Sequence, residues 1–247
     1  MVNRQAAVLM MFSLLVVLTV LTVARNHLYR DALLLWEDVV AKSPAKRRPH
    51  QNYGHLLAVR QQYGKALEHL QTVLMLKEDD HITAPIALRE LSFVYFSLGL
   101  YDHAIEAGRK GLEGAPGDAK LLGNVAAGYF KKQMYPLAIQ YAQAAHRADP
   151  LLMPPLNILG ESHLIRKEYE RALYYFLLSI EREPDNAFRY WNAAAVYEAA
   201  GQRDLALRYY SLYLEREVDP AYRKKAEDQM RNLGRGKREK DAARNGR

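Results

Sequence analysis

Six alanines, Ala32, Ala66, Ala104, Ala138, Ala172 and Ala206, follow one another at steps of 34, 38, 34, 34 and 34 residues. A single four-residue insertion accounts for the longer step. A fixed period of this size marks a chain of stacked supersecondary units, none of which can bury its apolar face without a neighbour. Other residues keep the same step. Pro44, Pro116, Pro150 and Pro184 each lie 12 residues beyond an alanine, and Leu91, Val125, Leu159 and Ala193 each lie 13 before one. Tyr95, Tyr129 and Tyr197 lie nine before theirs. A proline cannot continue a helix, so each one closes a unit and opens the turn to the next.

Over residues 26–220 this pattern resembles the tetratricopeptide repeat (TPR), a 34-residue helix-turn-helix unit. The resemblance implies an all-α fold, a right-handed superhelix of paired helices forming an α-solenoid. Five units are expected at 47–80, 85–118, 119–152, 153–186 and 187–220, with a half repeat over 26–46 before them. In the fourth unit Leu156, Leu159, Gly160, Ala172, Phe176 and Pro184 stand where the repeat needs them. Gly160 and Ala172 let the paired helices approach closely, and Phe176 fills the space between units. Residues 80–84 hold the insertion and lengthen a loop. Gly108, Gly111, Gly114 and Gly117 predict a thin, bent helix and a turn, and no GK[ST] follows to make a phosphate loop. Residues 221–233 read as a polar capping helix, which a solenoid end requires, and 234–247 as a basic disordered tail.

Charge sits at the ends. The net +7 contains two arginines and no acid in residues 1–25, and six basic against two acidic residues in 235–247. The remainder, 27 basic against 26 acidic, is nearly neutral, which argues against a nucleic-acid groove along the repeats. There is no cysteine, which excludes disulfides, thiolate nucleophiles and cysteine metal sites.

Residues 6–24 (AAVLMMFSLLVVLTVLTVA) carry no charge over 19 positions. As a helix they reach about 28 Å, close to the ~30 Å hydrocarbon core of a bilayer. The run exceeds the 7–15 apolar residues usual in a cleaved signal peptide. We therefore expect residues 1–25 to be a retained single-pass anchor. A helix from Asn26 to Ala41 is expected to continue it straight into the repeats. Basic residues near the span balance on its two sides, so charge does not orient it. Lys42, Lys46, Arg47 and Arg48 read as a solvated turn.

No catalytic constellation is present. The eight histidines form no HExxH or other ligand spacing, and no serine lies in GxSxG. No enzyme activity, cofactor or metal is expected. In the TPR fold the first helix of each unit lines a concave groove. The sixth position of that helix reads Asn52, Glu90, Asn124, Ile158 and Asn192, with Asn157 one place early. An amide offers donor and acceptor together and so matches a peptide backbone. The set resembles the asparagine ladder of O-GlcNAc transferase repeats, broken at Glu90 and Ile158. Phe93, Phe96, Phe130 and Trp191 fall at other groove-facing offsets, with Arg89 beside them. The bland alternative is that the asparagines stabilise turns. Gln51, His55, Arg89 and Phe93 stand where a two-carboxylate clamp would need Lys and Asn, so that partner class is not expected.

The junction carries a narrower likeness. Arg25-Asn26, Tyr29, Leu35-Trp36, Lys42-Ser43-Pro44 and Asn52-Tyr53-Gly54 are similar to the point where polytopic membrane glycosyltransferases with TPR tails leave their last span. The likeness implies association with such an enzyme and an extracytoplasmic solenoid. Three functions follow: a membrane-anchored scaffold for protein or peptide partners, an accessory or detached part of a membrane glycosyltransferase system, and a nucleic-acid binder using the basic tail.

Overall fold

The computed structural model describes the backbone of residues 4–76 and 83–245, with side chains over 6, 8–23, 29, 31–76 and 83–234. Helix α1 (Arg4–Arg30) is followed by α2 (Ala32–Lys42), α3 (Arg47–Val59), α4 (Tyr63–Met75), α5 (Thr83–Ser97) and α6 (Tyr101–Gly114). These form one compact unit, residues 1–115. A second unit, 116–247, holds α7 (Ala119–Lys131), α8 (Tyr135–Ala148), α9 (Met153–Ile165), α10 (Tyr169–Arg182), α11 (Ala187–Ala199), α12 (Arg203–Leu214) and α13 (Pro220–Asn245). Arg47, Ala119, Met153 and Ala187 are the first residues of α3, α7, α9 and α11. The insertion lies mostly outside the described residues, at 80–82; its last two residues, Thr83 and Ala84, begin α5.

Helices pair in sequence: α3 with α4 and α5 with α6 in the first unit, α7 with α8, α9 with α10 and α11 with α12 in the second. The repeat alanines lie at these crossings. Ala66, Ala104, Ala138, Ala172 and Ala206 have no exposed surface. Gly160 serves the same end from the facing helix, because a Cβ there would stand 2.6 Å from the Phe176 ring. Around these contacts gather Leu57, Leu70, Val73 and Leu91 in the first unit, and Leu159, Phe176, Val196 and Tyr210 in the second.

The turns inside the pairs share one device that the sequence hides. Gln61, Gly99, Gln133, Lys167 and Gly201 all take φ between 59° and 77°. Each lies five residues before a repeat alanine. At the first, Gln62 N donates to Leu57 O (2.8 Å) and Gln61 N to Ala58 O (3.0 Å). That is the Schellman pairing, in which a left-handed residue lets the last carbonyls of a helix find donors. The same two bonds recur at Leu100 and Gly99, Met134 and Gln133, Glu168 and Lys167, and Gln202 and Gly201. Between units, the helix ends with Ser43, Ala115, Asp149 and Glu183 as C-caps, each immediately before one of the periodic prolines.

Two expectations at the amino end are corrected. The helix does not run straight from the apolar segment into the repeats. It stops at Arg30, and Asp31 takes an extended conformation with its carboxylate accepting from Leu33 N at 2.8 Å. Arg60, the C-cap of α3, donates to the same carboxylate at 3.0 Å, which fixes the break. The transmembrane helix expected over 6–24 is also not supported. Among the described residues no helix is long and apolar enough to cross a membrane. The described apolar side chains of α1 are nonetheless all about half exposed or more, from 46% at Val16 to 72% at Met11. Ala32 at the head of α2 is exposed, unlike the other repeat alanines.

At the carboxyl end α13 continues helical to Asn245, through the stretch expected to be disordered. Lys, Arg, Glu and Ala dominate 237–244 and all favour helix. Its first turns cap the repeats: Ala226 is fully buried, and Met230 and Leu233 pack beside Tyr210. Gln229 Nε2 donates to Glu198 Oε1 at 2.6 Å, and Lys225 lies 5.1 Å over the Trp191 ring.

Candidate functional site

In the first unit Asn52 lies half-buried on α3, with Arg89 and Phe93 on the adjacent α5. Phe93 is 43% exposed and meets Tyr63 edge-on at 6.5 Å, so part of its ring remains open to a partner. Glu90, the first break in the asparagine series, is not a free charge. His55 Nδ1 lies 3.1 Å from its carboxylate, and Arg89 Nη2 lies 3.7 Å away. The structure thus spends Arg89 and His55 partly on Glu90. Phe96 does not join Phe93; it tilts against Tyr101 at 5.6 Å, in the turn between the paired helices.

In the second unit Asn124, Asn157 and Asn192 stand near the middle of α7, α9 and α11, all half-buried. Their situations differ. Asn124 already has an interaction within the fold. Asn157 Oδ1 accepts from Arg189 Nη1 at 2.6 Å, so it ties α9 to α11. Arg189 is 9% exposed, and its Nε and Nη2 reach Glu183 Oε2 at 3.1 and 2.7 Å. Asn186 Nδ2 donates to the same oxygen at 3.0 Å. The Arg189 guanidinium holds the Glu183 carboxyl below the usual carboxylate range, with Asn186 assisting. A buried cation is tolerated only when paired and hydrogen-bonded in this way. For Asn157 the stabilising role is the one the geometry supports.

Phe130 packs edge-on against Tyr135 at 5.8 Å, and Trp191 is wedged between Tyr210 and Tyr213 at 5.1 and 5.3 Å. Both rings therefore belong to the packing between helices, Trp191 most fully. Arg189 was not visible as a site residue from sequence. The signal was an arginine two places before Trp191 on an otherwise apolar helix face, meaningful only once Asn157 and Glu183 face it.

Two clefts lie elsewhere, each between successive second helices with the intervening first helix beneath. One, of about 390 Å³, is lined by Leu74, Leu88, Leu91, Tyr95, His103 and Lys110. The other, of about 440 Å³, is lined by Gln143, His163, Glu170, Arg171, Tyr174 and Tyr175. His163 is 2% exposed and stacks parallel on Tyr175, with Nδ1 2.6 Å from Glu168. Hydrogen bonds from His163 and Arg166 keep the Glu168 carboxyl below its ordinary value. Among the described residues no three His, Asp or Glu side chains come together as a metal site.

Three of the junction residues that resembled a glycosyltransferase tail, Trp36, Tyr53 and Gly54, are used by the fold itself. Trp36 and Tyr53 join the first unit's apolar cluster, and a Cβ at Gly54 would stand 2.8 Å from Leu70. Packing accounts for these residues without a partner enzyme. Arg25 and Asn26 have no described side chains.

No family model matches the sequence, and no curated protein matches it. Solved structures do. The chain is similar to YrrB, described as a TPR protein with an unusual peptide-binding site, at 20% identity and a TM-score of 0.63, over 78% of this chain and 97% of that one. It is similar to MamA at 22% identity and a TM-score of 0.61, over 69% of this chain and 91% of that one. A second MamA structure matches at 22% identity and a TM-score of 0.59, over 66% and 93%. At such identities the likeness is one of architecture, and the chain is an all-α helical-repeat solenoid of the TPR kind.

Proposed function

We propose that this chain is a docking scaffold that holds an extended protein or peptide segment along the first helices of its repeats. The observation that carries this reading lies in the first unit, where the half-buried amide of Asn52 on α3, with no hydrogen bond among the described residues, lies on the helix next to the one that carries the partly exposed ring of Phe93; in the second unit Asn192 offers an amide of the same kind. An amide can meet both groups of a peptide unit and an exposed ring can take an apolar side chain, the combination peptide grooves use. The peptide-binding site attributed to YrrB supports the same reading by analogy of fold. No catalytic role is part of it.

The scaffold is attached to a membrane through residues 6–24, with the apolar, exposed length of α1 as the support. The extracytoplasmic side and a membrane glycosyltransferase partner rest on the junction residues alone.

The test is site-specific photo-crosslinking in native membranes. A benzophenone amino acid placed at 52, 93 or 192 is expected to trap a partner. The same probe at Glu106, exposed on the second-helix side, is expected to trap none of it. Equal capture from position 106 removes the groove reading. Loss of crosslinking at 93 on competition with a peptide from the trapped partner shows that the contact is a linear segment.

A further inference from the structure

Two histidines meet inside the first unit. His50 of α3 is 6% exposed, and its Nδ1 lies 2.9 Å from Nδ1 of His69 on α4. His50 Nε2 lies 3.0 Å from the carbonyl oxygen of Pro44, in the turn between α2 and α3. The rings are 5.2 Å apart, and Tyr53 covers His69 edge-on at 4.8 Å.

These contacts fix where the protons sit. A carbonyl can only accept, so His50 Nε2 carries the hydrogen that bonds Pro44. Neutral His50 then has a bare Nδ1, which accepts, and His69 donates from its own Nδ1–H. The unassigned nitrogen is His69 Nε2. A first added proton lands there, leaving both hydrogen bonds formed but placing a charge beside the buried ring of His50. A second must land on His50 Nδ1. Two N–H groups would then face each other at 2.9 Å, and the pair has to separate.

We propose that the His50–His69 pair is an acid-sensitive clasp that holds the α2–α3 turn onto α4 at neutral pH and releases it on protonation. The surroundings of His69 favour its neutral state. Burial and the neighbouring His50 push His69 below the ordinary histidine value. Glu68 on α4 and Glu37 on α2 act in the opposite sense, while Lys65 on α4 reinforces the depression. Glu37 is partly occupied, since it also bonds the Tyr53 hydroxyl of α3. With the folded value of His69 below the unfolded one, the folded chain binds fewer protons than the unfolded chain once pH falls through ~6.5, so stability is lost on the acid side.

The clasp sits where it can matter for the chain. Leu33, Trp36 and Val40 of α2 pack on the cluster that contains Tyr53 and Leu70, so the turn sets how firmly α2 is seated. Acidification therefore loosens α2, the element next after the apolar α1.

The experiment uses the full chain in detergent micelles, read by hydrogen exchange of residues 40–50 at pH 7.5 and 5.0, corrected for intrinsic exchange. Wild type is expected to lose protection there by about tenfold or more at pH 5.0. His69→Asn keeps a neutral donor near His50 Nδ1 and is expected to show no such loss. An equal acid response in His69→Asn, or none in wild type, overturns the proposal. If the variant does not fold, ring-nitrogen NMR of the wild type still decides: at pH 7.5 His50 must be protonated on Nε2 and His69 on Nδ1. The opposite tautomers overturn it.

Discussion

Gln61, Gln133 and Lys167 hold φ near +60°, a region that costs a residue with a Cβ about 1–2 kcal/mol and costs glycine almost nothing. Gly99 and Gly201 occupy the equivalent places in other repeats. Gln133→Gly is therefore expected to stabilise the chain, by up to about 1 kcal/mol once the extra freedom of unfolded glycine is deducted. Urea unfolding measures it, and a lower midpoint for the variant shows that the side chain contributes more than its backbone strain costs. At Gly160 the sign reverses. Gly160→Ala puts a methyl 2.6 Å from the Phe176 ring, which is itself 1% exposed and cannot withdraw. Overpacking of this kind costs about 1–3 kcal/mol, visible as a lowered melting temperature.

Among elements, the seam between α9 and α11 rests on one guanidinium. Asn157→Ala leaves Arg189 Nη1 without its acceptor and is expected to destabilise by about 1–3 kcal/mol. Asn192→Ala, with no hydrogen bond to lose among the described residues, is expected to leave thermal unfolding unchanged and to weaken partner binding. If both variants melt alike and bind alike, the distinction drawn between the two amides is wrong. The Glu183 carboxyl in the same network titrates below its ordinary value of 4.5. Its contribution is complete above that value and is lost as pH falls through the lower, folded one, so acid weakens this seam. High salt at neutral pH should weaken it less, because the pair is largely shielded from solvent on the arginine side. Helix α13 is the other decisive element. Ending the chain at residue 219 uncovers Tyr210, Tyr213 and Trp191 and removes the Gln229–Glu198 bond. The expected result is a lower melting temperature with altered near-ultraviolet circular dichroism, since terminal repeats need a polar cover. An unchanged melt shows that α13 is not a cap.

For the molecule as a whole, the exposed apolar side chains of α1 have no protein to cover them in the described structure. The full chain is expected to float with phosphatidylcholine vesicles after an alkaline wash, and a chain lacking 6–24 is expected to stay in solution. Leu15→Arg with Leu18→Arg should shift the balance toward solution, because each charge is costly to bury in an apolar phase. Flotation of the truncated chain, or none of the full one, removes membrane attachment from the proposed function.

How much of this could be read in advance follows from the range of each interaction. The alanine, proline and Gly160 positions are demands made inside a single repeat and made again 34 residues later, so periodicity exposes them in the sequence. The left-handed residues recur with the same step, yet only two are glycine, because a few kcal/mol of strain is tolerated where the turn is closed by two backbone bonds. What tertiary structure alone decided are pairings between residues that no period relates. Asn157 and Asn192 look alike as letters in the chain, and only the approach of Arg189 separates a brace from an open amide. His50 and His69 are unremarkable singly, and only the packing of α3 on α4 brings two nitrogens to 2.9 Å. The stop at Asp31 depends on Arg60, 29 residues along the chain. The repeat pattern determined the architecture because the same local packing problem is solved again and again. The partners of individual polar groups were settled by the fold, because a hydrogen bond is directional and answers to where its partner lies, not to how far along the chain it is.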